Sequence, residues 1–233
     1  MRKAFSGNYI MVVFMVIMAY NAFSSGRYDN FGDWLTTTLL RLPGIVIGIT
    51  VHEFAHAFSA WKLGDQTPKA QGRVTLNPLA HIDPVGIIAL LFVGFGWGRP
   101  VQVNPYAFTK NRRLANIITD VAGVATNFVI AFFCTAALFV VHNETLFTIL
   151  LNVVYMNLVL MIFNLLPIPP LDGFGIITEI FDLRRFRWYK PFYSNGTIIL
   201  LILIVFDIIS GLLGPALSAI LGFIQNVWAL VFY

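Results

Sequence analysis

Apolar residues in this chain come in long unbroken runs, and the polar residues collect in the gaps between them. Runs of this length predict helices that are apolar all round, the form taken by segments surrounded by lipid. The first run, Tyr9 to Phe23, follows Arg2 and Lys3 and shares the charge pattern of a signal peptide. No small-x-small cleavage site follows it, so it is expected to remain as a first span. After a polar connection, Ser24 to Asp33, a second span is predicted from about Leu39 to Trp61, with Pro43 expected to bend it or delay its start. Three further apolar stretches follow: Ile117 to Val141, Leu146 to Leu166 and Thr197 to Leu213. An uncharged tail, Pro215 to Tyr233, either returns through the bilayer or lies along it.

Residues 62–116 break this pattern. They hold a short apolar piece, Val85 to Phe95, flanked by two similar phrases, Gly72 to Pro78 and Gly98 to Pro105, each alternating before an Asn-Pro turn signal. The piece is too short to span and is predicted to be re-entrant. The phrases are predicted to pair as short strands, 73–76 with 100–103.

Composition turns these local readings into a fold class. With 58% hydrophobic and 11% charged residues and a mean hydropathy of +0.78, the chain lies far from soluble proteins, which are about 25% charged. The expectation is an all-α polytopic membrane protein with about six transmembrane or re-entrant segments and a small β-hairpin or sheet near its site. Residues 1–233 are read as a single membrane-embedded domain, with a core over about 45–180, a first span at 9–23 and C-terminal membrane segments over 197–233. The net charge of +4 is explained by topology, without nucleic acid. The lone Cys134, inside an apolar run, permits no intrachain disulfide.

Suppose the N terminus is cytoplasmic, the 85–95 piece re-enters without crossing, and the other runs cross in turn. Then 13 of the 15 basic residues fall on the cytoplasmic side, leaving only Arg27 and Arg41 outside. Both candidate motifs below then lie near the cytoplasmic face of a multi-pass cell membrane. Arg184, Arg185 and Arg187 are most simply part of that topogenic charge.

The chemistry enters at His52-Glu53-Phe-Ala-His56, within the second span. Histidines at i and i+4 share a helix face and can reach one Zn²⁺, with the intervening glutamate beside the metal and its water. Three ionisable groups in one turn are costly in lipid unless they pair, bind metal or face a wet cavity. A catalytic zinc commonly takes a third protein ligand. Candidates at compatible depth are Asp172, Glu179, Asp182, Asp83 and His81. Asp172 is favoured because it follows a rigid Pro167-Ile-Pro-Pro170 run and precedes Gly173. Glu53 is then the general base for peptide-bond hydrolysis.

These residues, with Asn164-x-x-Pro167-x-Pro169-x-Leu171-Asp172-Gly173, resemble the site-2 proteases, the intramembrane zinc metalloproteases of peptidase family M50, over about residues 45–180. The stretch Gly72 to Asp83 resembles their short bacterial and archaeal branch without PDZ or CBS domains, which implies a prokaryotic plasma membrane. The resemblance implies one Zn²⁺ held by His52, His56 and Asp172, with Glu53 as the catalytic base. It also implies that Asn127 and Asn164 contact substrate backbone or stabilise the oxyanion. Gly123 and Asn127 keep a second family pattern, but Val124 stands where proline is usual. The implied substrates are membrane-anchored proteins, such as anti-sigma factors or proproteins. An extended substrate is expected to add along Val101 and Val103.

Two other readings compete with the protease. A catalytically silent membrane binding or chaperone protein of protease ancestry would have no chemical reason to keep Glu53. A metal transporter would want polar residues through the membrane, and the spans offer few outside the two motifs. The substrate and the oligomeric state are not written in the sequence.

Overall fold

The structure, a computed structural model, describes residues 28–87, 97–109 and 111–233, and ahead of them positions 13, 16, 20, 24 and 26. The expected first span, 9–23, and most of the 85–95 piece lie outside the described residues, apart from scattered positions. The helices described are α1 (Phe31–Lys62), α2 (Thr67–Ala70), α3 (Arg112–Leu138), α4 (Glu144–Asn164), α5 (Asp172–Phe181), α6 (Tyr189–Val205) and α7 (Ile208–Phe232). Short 3-10 turns lie at Pro78–Ala80 and Leu183–Arg185.

Among the described residues four helices, α1, α3, α4 and α7, are long and apolar enough to cross a membrane, and α6 is a shorter apolar helix. The helical membrane protein expected from hydropathy is therefore present in outline. The count of six segments depends on 9–23 and 85–95 and is not carried by these helices. At 1.5 Å per residue α1 is about 48 Å long, more than the hydrocarbon thickness of about 30 Å. Its site-bearing end therefore has room to reach the membrane surface.

Asparagine caps start three of these spans. The side chain of Asn30 accepts from Asp33 N at 2.9 Å, Asn111 from Leu114 N at 3.2 Å and Asn143 from Leu146 N at 2.9 Å. Each satisfies a backbone donor that lipid cannot. The Asn30 cap starts α1 at Phe31, ahead of the expected Leu39, and the helix continues through Pro43. The missing proline N–H is tolerated where a neighbouring helix packs closely. Here α4 lies directly against Gly44, where a Cβ would come within 2.6 Å of the Asn152 carbonyl oxygen.

Helices α1, α3 and α4 make the most extensive contacts. The buried cluster Val124, Ala131, Val154, Leu158, Met161 and Ile162 is closed by Leu217 and Ile224 of α7. Fully buried small residues such as Ala131 let the helices approach closely. The expected 197–213 span is divided at Asp207, which adopts φ 57 between α6 and α7. The tail then runs as one helix through Pro215, with Trp228 Nε1 donating to the Phe132 carbonyl at 2.8 Å.

The expected 73–76 with 100–103 strand pair does not form; among the described residues there is no strand. An antiparallel bridge joins Ile82 and Gly98 instead, and Arg99 N donates to His81 O at 2.7 Å. Pro100 has no N–H to extend that ladder. The two phrases still meet, through a side chain. The Arg73 guanidinium, buried with its residue, donates to the carbonyls of Ala80, Arg99 (2.6 Å) and Pro100 (2.8 Å).

Candidate metal centre

The last turns of α1 carry His52, Glu53 and His56, and the first residue of α5 is Asp172. Asp172 Oδ2 lies 3.3 Å from both His52 Nε2 and His56 Nε2, and the two Nε2 atoms are 3.0 Å apart. One ligand atom from each residue lies within 4.8 Å of the others, the spacing of a set able to hold one metal ion.

The outer hydrogen bonds decide which nitrogens face inward. His56 Nδ1 donates to the Thr119 carbonyl oxygen at 2.7 Å, which can only accept. Asn127 spends its amide N–H groups on Gly48 O (3.3 Å) and Asn157 Oδ1 (3.2 Å), turning its own oxygen toward His52 Nδ1 at 2.9 Å. Both imidazoles are thereby held with Nδ1–H outward, so that in their neutral form the Nε2 lone pairs face inward. Asp172 Oδ2 is buried and accepts no hydrogen bond. Two lone pairs and a carboxylate oxygen converging in this way repel one another unless a cation joins them. The donor set, two imidazoles and a carboxylate, suits Zn²⁺.

Two glycines make the space. A Cβ at Gly123 of α3 would lie 2.5 Å from His56 Nε2 and 2.7 Å from His52 Cε1. One at Gly173 would lie 2.2 Å from the Leu165 carbonyl oxygen, so Asp172 reaches the histidines only because α5 starts against the end of α4.

Glu53 Oε2 accepts the Val101 N–H at 2.9 Å, which fixes the carboxylate against the loop that follows the apolar piece. That loop is anchored again where Asn104 N donates to the fully buried Asp65 at 2.7 Å.

The other candidates for third ligand have different partners. His81 Nε2 is 2.8 Å from the Thr75 carbonyl oxygen, and Asp83 accepts from Gly86 N at 2.9 Å. Asp182 takes a left-handed turn conformation at the end of α5. Glu179 accepts from Asn116 (2.6 Å) and Arg184 (2.7 Å). Burial would raise the Glu179 carboxyl, but the bonds and charge of Arg184 and the bond from Asn116 outweigh it and hold the pKa below its ordinary value.

Asn127 is fully buried with both amide ends engaged, so its geometry holds His52 and does not present a donor to substrate. The Asn164 amide donates back to Leu160 O at 2.9 Å within α4. Two supporting groups went unseen in the sequence. Thr119 acts through its carbonyl, which no side-chain pattern reveals. Asn157 is one of several asparagines in a uniformly apolar helix, and nothing in the spacing marks it as the inward one.

The model of the family described as Peptidase family M50 matches residues 140–206. The "Putative zinc metalloprotease YwhC" of Bacillus subtilis is 38% identical over 201 residues, covering 81% of this chain and 90% of that protein. The "Putative zinc metalloprotease Rip2" of Mycolicibacterium smegmatis is 30% identical over 177 residues, covering 72% and 67%. Its namesake in Mycobacterium tuberculosis is 28% identical over 182 residues, covering 74% and 69%. No solved structure matches the chain. Identity of 38% across nine-tenths of a relative's length, joined to a His-His-Asp cluster with both histidines buried beside Glu53, places this chain in peptidase family M50.

Proposed function

We propose that the chain is a zinc metalloendopeptidase of the site-2 protease type that hydrolyses peptide bonds within or next to a transmembrane segment of membrane-anchored proteins. The observation that carries this reading is the convergence of His52 Nε2 and His56 Nε2, on a helix apolar enough to span, with Asp172 Oδ2 at the start of the short α5, beside Glu53. Those three atoms would hold a single Zn²⁺. When bound, it supplies Lewis acidity, polarising a scissile carbonyl and making a water a better nucleophile.

The chain's own residues do the rest. Glu53 takes the proton of the attacking water and returns it to the departing amine, which requires a carboxylate held in place; the Val101 N–H does that. Asn127 and the Thr119 carbonyl keep both imidazoles in the tautomer that leaves Nε2 free. The substrate segment unwinds and lies extended along Val101 to Val103, because helical hydrogen bonds shield a peptide bond from attack.

The end of the bundle that holds the site carries Lys62, Lys69, Arg73, Arg99, Arg112 and Arg113, which supports a site facing the cytoplasm in a multi-pass plasma membrane. Residues 1–233 are read as one membrane-embedded domain. Substrates are membrane-anchored regulators such as anti-sigma factors, or proproteins. The test is cleavage of single-span substrates by purified protein in nanodiscs, with cut sites mapped by mass spectrometry. Cuts inside or beside the span are expected. Cuts confined to soluble loops would overturn the intramembrane reading.

A further inference from the structure

A cavity of about 250 Å³ opens beside the metal centre, walled by Val103, Thr119, Asp120, Asp172 and Thr178. It is polar in a way that a packing gap is not. Thr119 Oγ1 and Thr178 Oγ1, on residues 3% and 1% exposed, are buried without a hydrogen-bond partner. Asp120 forms no hydrogen bond or ion pair among the described residues. Its carboxylate presses on the bare backbone of α5, where a Cβ at Gly175 would meet Asp120 Oδ2 at 2.3 Å.

The other charges around the cavity are accounted for. Glu179 and Arg184 neutralise each other at 2.7 Å, and Asp172 faces the two histidines. Asp120 is left in a spanning helix with no hydrogen-bond or ion-pair partner, a position where a carboxylate is expensive unless a cation meets it. A lysine ammonium brings hydrogen-bond donors and one positive charge, the complement of the Asp120 carboxylate.

Val103 places the cavity along the segment where an extended substrate would lie. Single-span proteins carry lysine and arginine just cytoplasmic of their spans. A substrate drawn in from that side therefore brings a basic side chain to this depth. We infer that the cavity is a subsite for a cationic substrate side chain beside the scissile bond, with Asp120 as its specificity-determining residue; this rests on the protease reading above.

The test uses the zinc-loaded Glu53→Gln protein in nanodiscs and fluorescent single-span peptides. One lysine is stepped through the positions flanking the cut, with methionine at the same positions as reference. Lysine should tighten binding about tenfold at one position, and Asp120→Asn should reduce that advantage to within about twofold. In protein with Glu53 intact, the lysine-to-methionine ratio of kcat/KM should fall with it. Asp120→Ala, with zinc content checked in both variants, serves if the asparagine form does not fold. Lysine giving no advantage at any position, or an advantage that survives both replacements, would overturn the subsite. Binding needs no turnover, so absence of cleavage by the Glu53 protein would count against the protease reading and leave this arm to decide the subsite.

Discussion

Gly123 offers a sharp structural test, because it has no chemistry of its own and acts only by leaving room. A methyl group there would stand 2.5 Å from His56 Nε2, 2.6 Å from His56 Cε1 and 2.7 Å from His52 Cε1, whereas ordinary contact begins at 3.4 Å. Gly123→Ala therefore forces a displacement of about 0.9 Å at the His56 ring or in the α3 backbone. Zinc–nitrogen distances tolerate only about 0.2 Å. Neither ring can retreat freely, since each Nδ1 is tied to α3, through Asn127 or the Thr119 carbonyl. Zinc affinity should fall at least about tenfold, or about 1.4 kcal/mol. The assay is competition with a chromophoric chelator on purified protein, beside circular dichroism to confirm that the helices persist. A folded Gly123→Ala protein that binds zinc as the wild type does would refute the geometry of the centre.

Other consequences follow from single contacts. Asn127→Leu removes the acceptor that orients His52 and should weaken zinc binding about 10- to 100-fold, whereas Asn127→Asp keeps an acceptor and should lose much less; the same competition assay reads both. Arg73→Met strips three carbonyls of a buried charged donor and should cost about 2–3 kcal/mol, seen as faster hydrogen exchange at Arg99 and Val101 and a lower thermal midpoint. Because the folded state holds the Glu179 pKa below its ordinary value, ionised Glu179 favours folding above the unfolded pKa of about 4.3. That contribution disappears as pH falls through the folded value. Glu179→Gln should thus destabilise at pH 7 and converge with wild type in acid, as thermal unfolding across pH 3–7 would show.

His52, Glu53 and His56 were legible because their spacing is chemical, whereas Asp172 was set above its rivals by the Pro167 to Pro170 run, Gly173 and the family resemblance. An i, i+4 pair commits two rings to one side of a helix, and ionisable groups stand out against lipid-facing neighbours. What surrounds them was less legible for physical reasons. A helix apolar on every side has no readable inward face, so Asn157 could not be told from Asn152 or Asn164, although only Asn157 accepts from Asn127. Asn127 was noticed for its amide, but which way that amide points depends on Gly48 and Asn157, both distant in sequence. The 73–76 and 100–103 phrases do meet, but by a different contact from the one expected. Alternation suggested backbone pairing, while Pro100 prevents it and Arg73 substitutes a side chain. Asp207 shows the opposite failure, a single charge in a long apolar run at which one helix ends and another begins. Asp120 passed unnoticed because one carboxylate in a span carries no spacing to read.

The most direct measurement is zinc content together with cleavage of a panel of single-span substrates, wild type beside Glu53→Gln. Near-stoichiometric zinc in both proteins with cleavage by the wild type alone is the expected result, since the converging ligand atoms come from His52, His56 and Asp172 while the Glu53 carboxylate is bound by the Val101 N–H. Zinc bound by both and no cut by either across a broad panel would contradict the protease account.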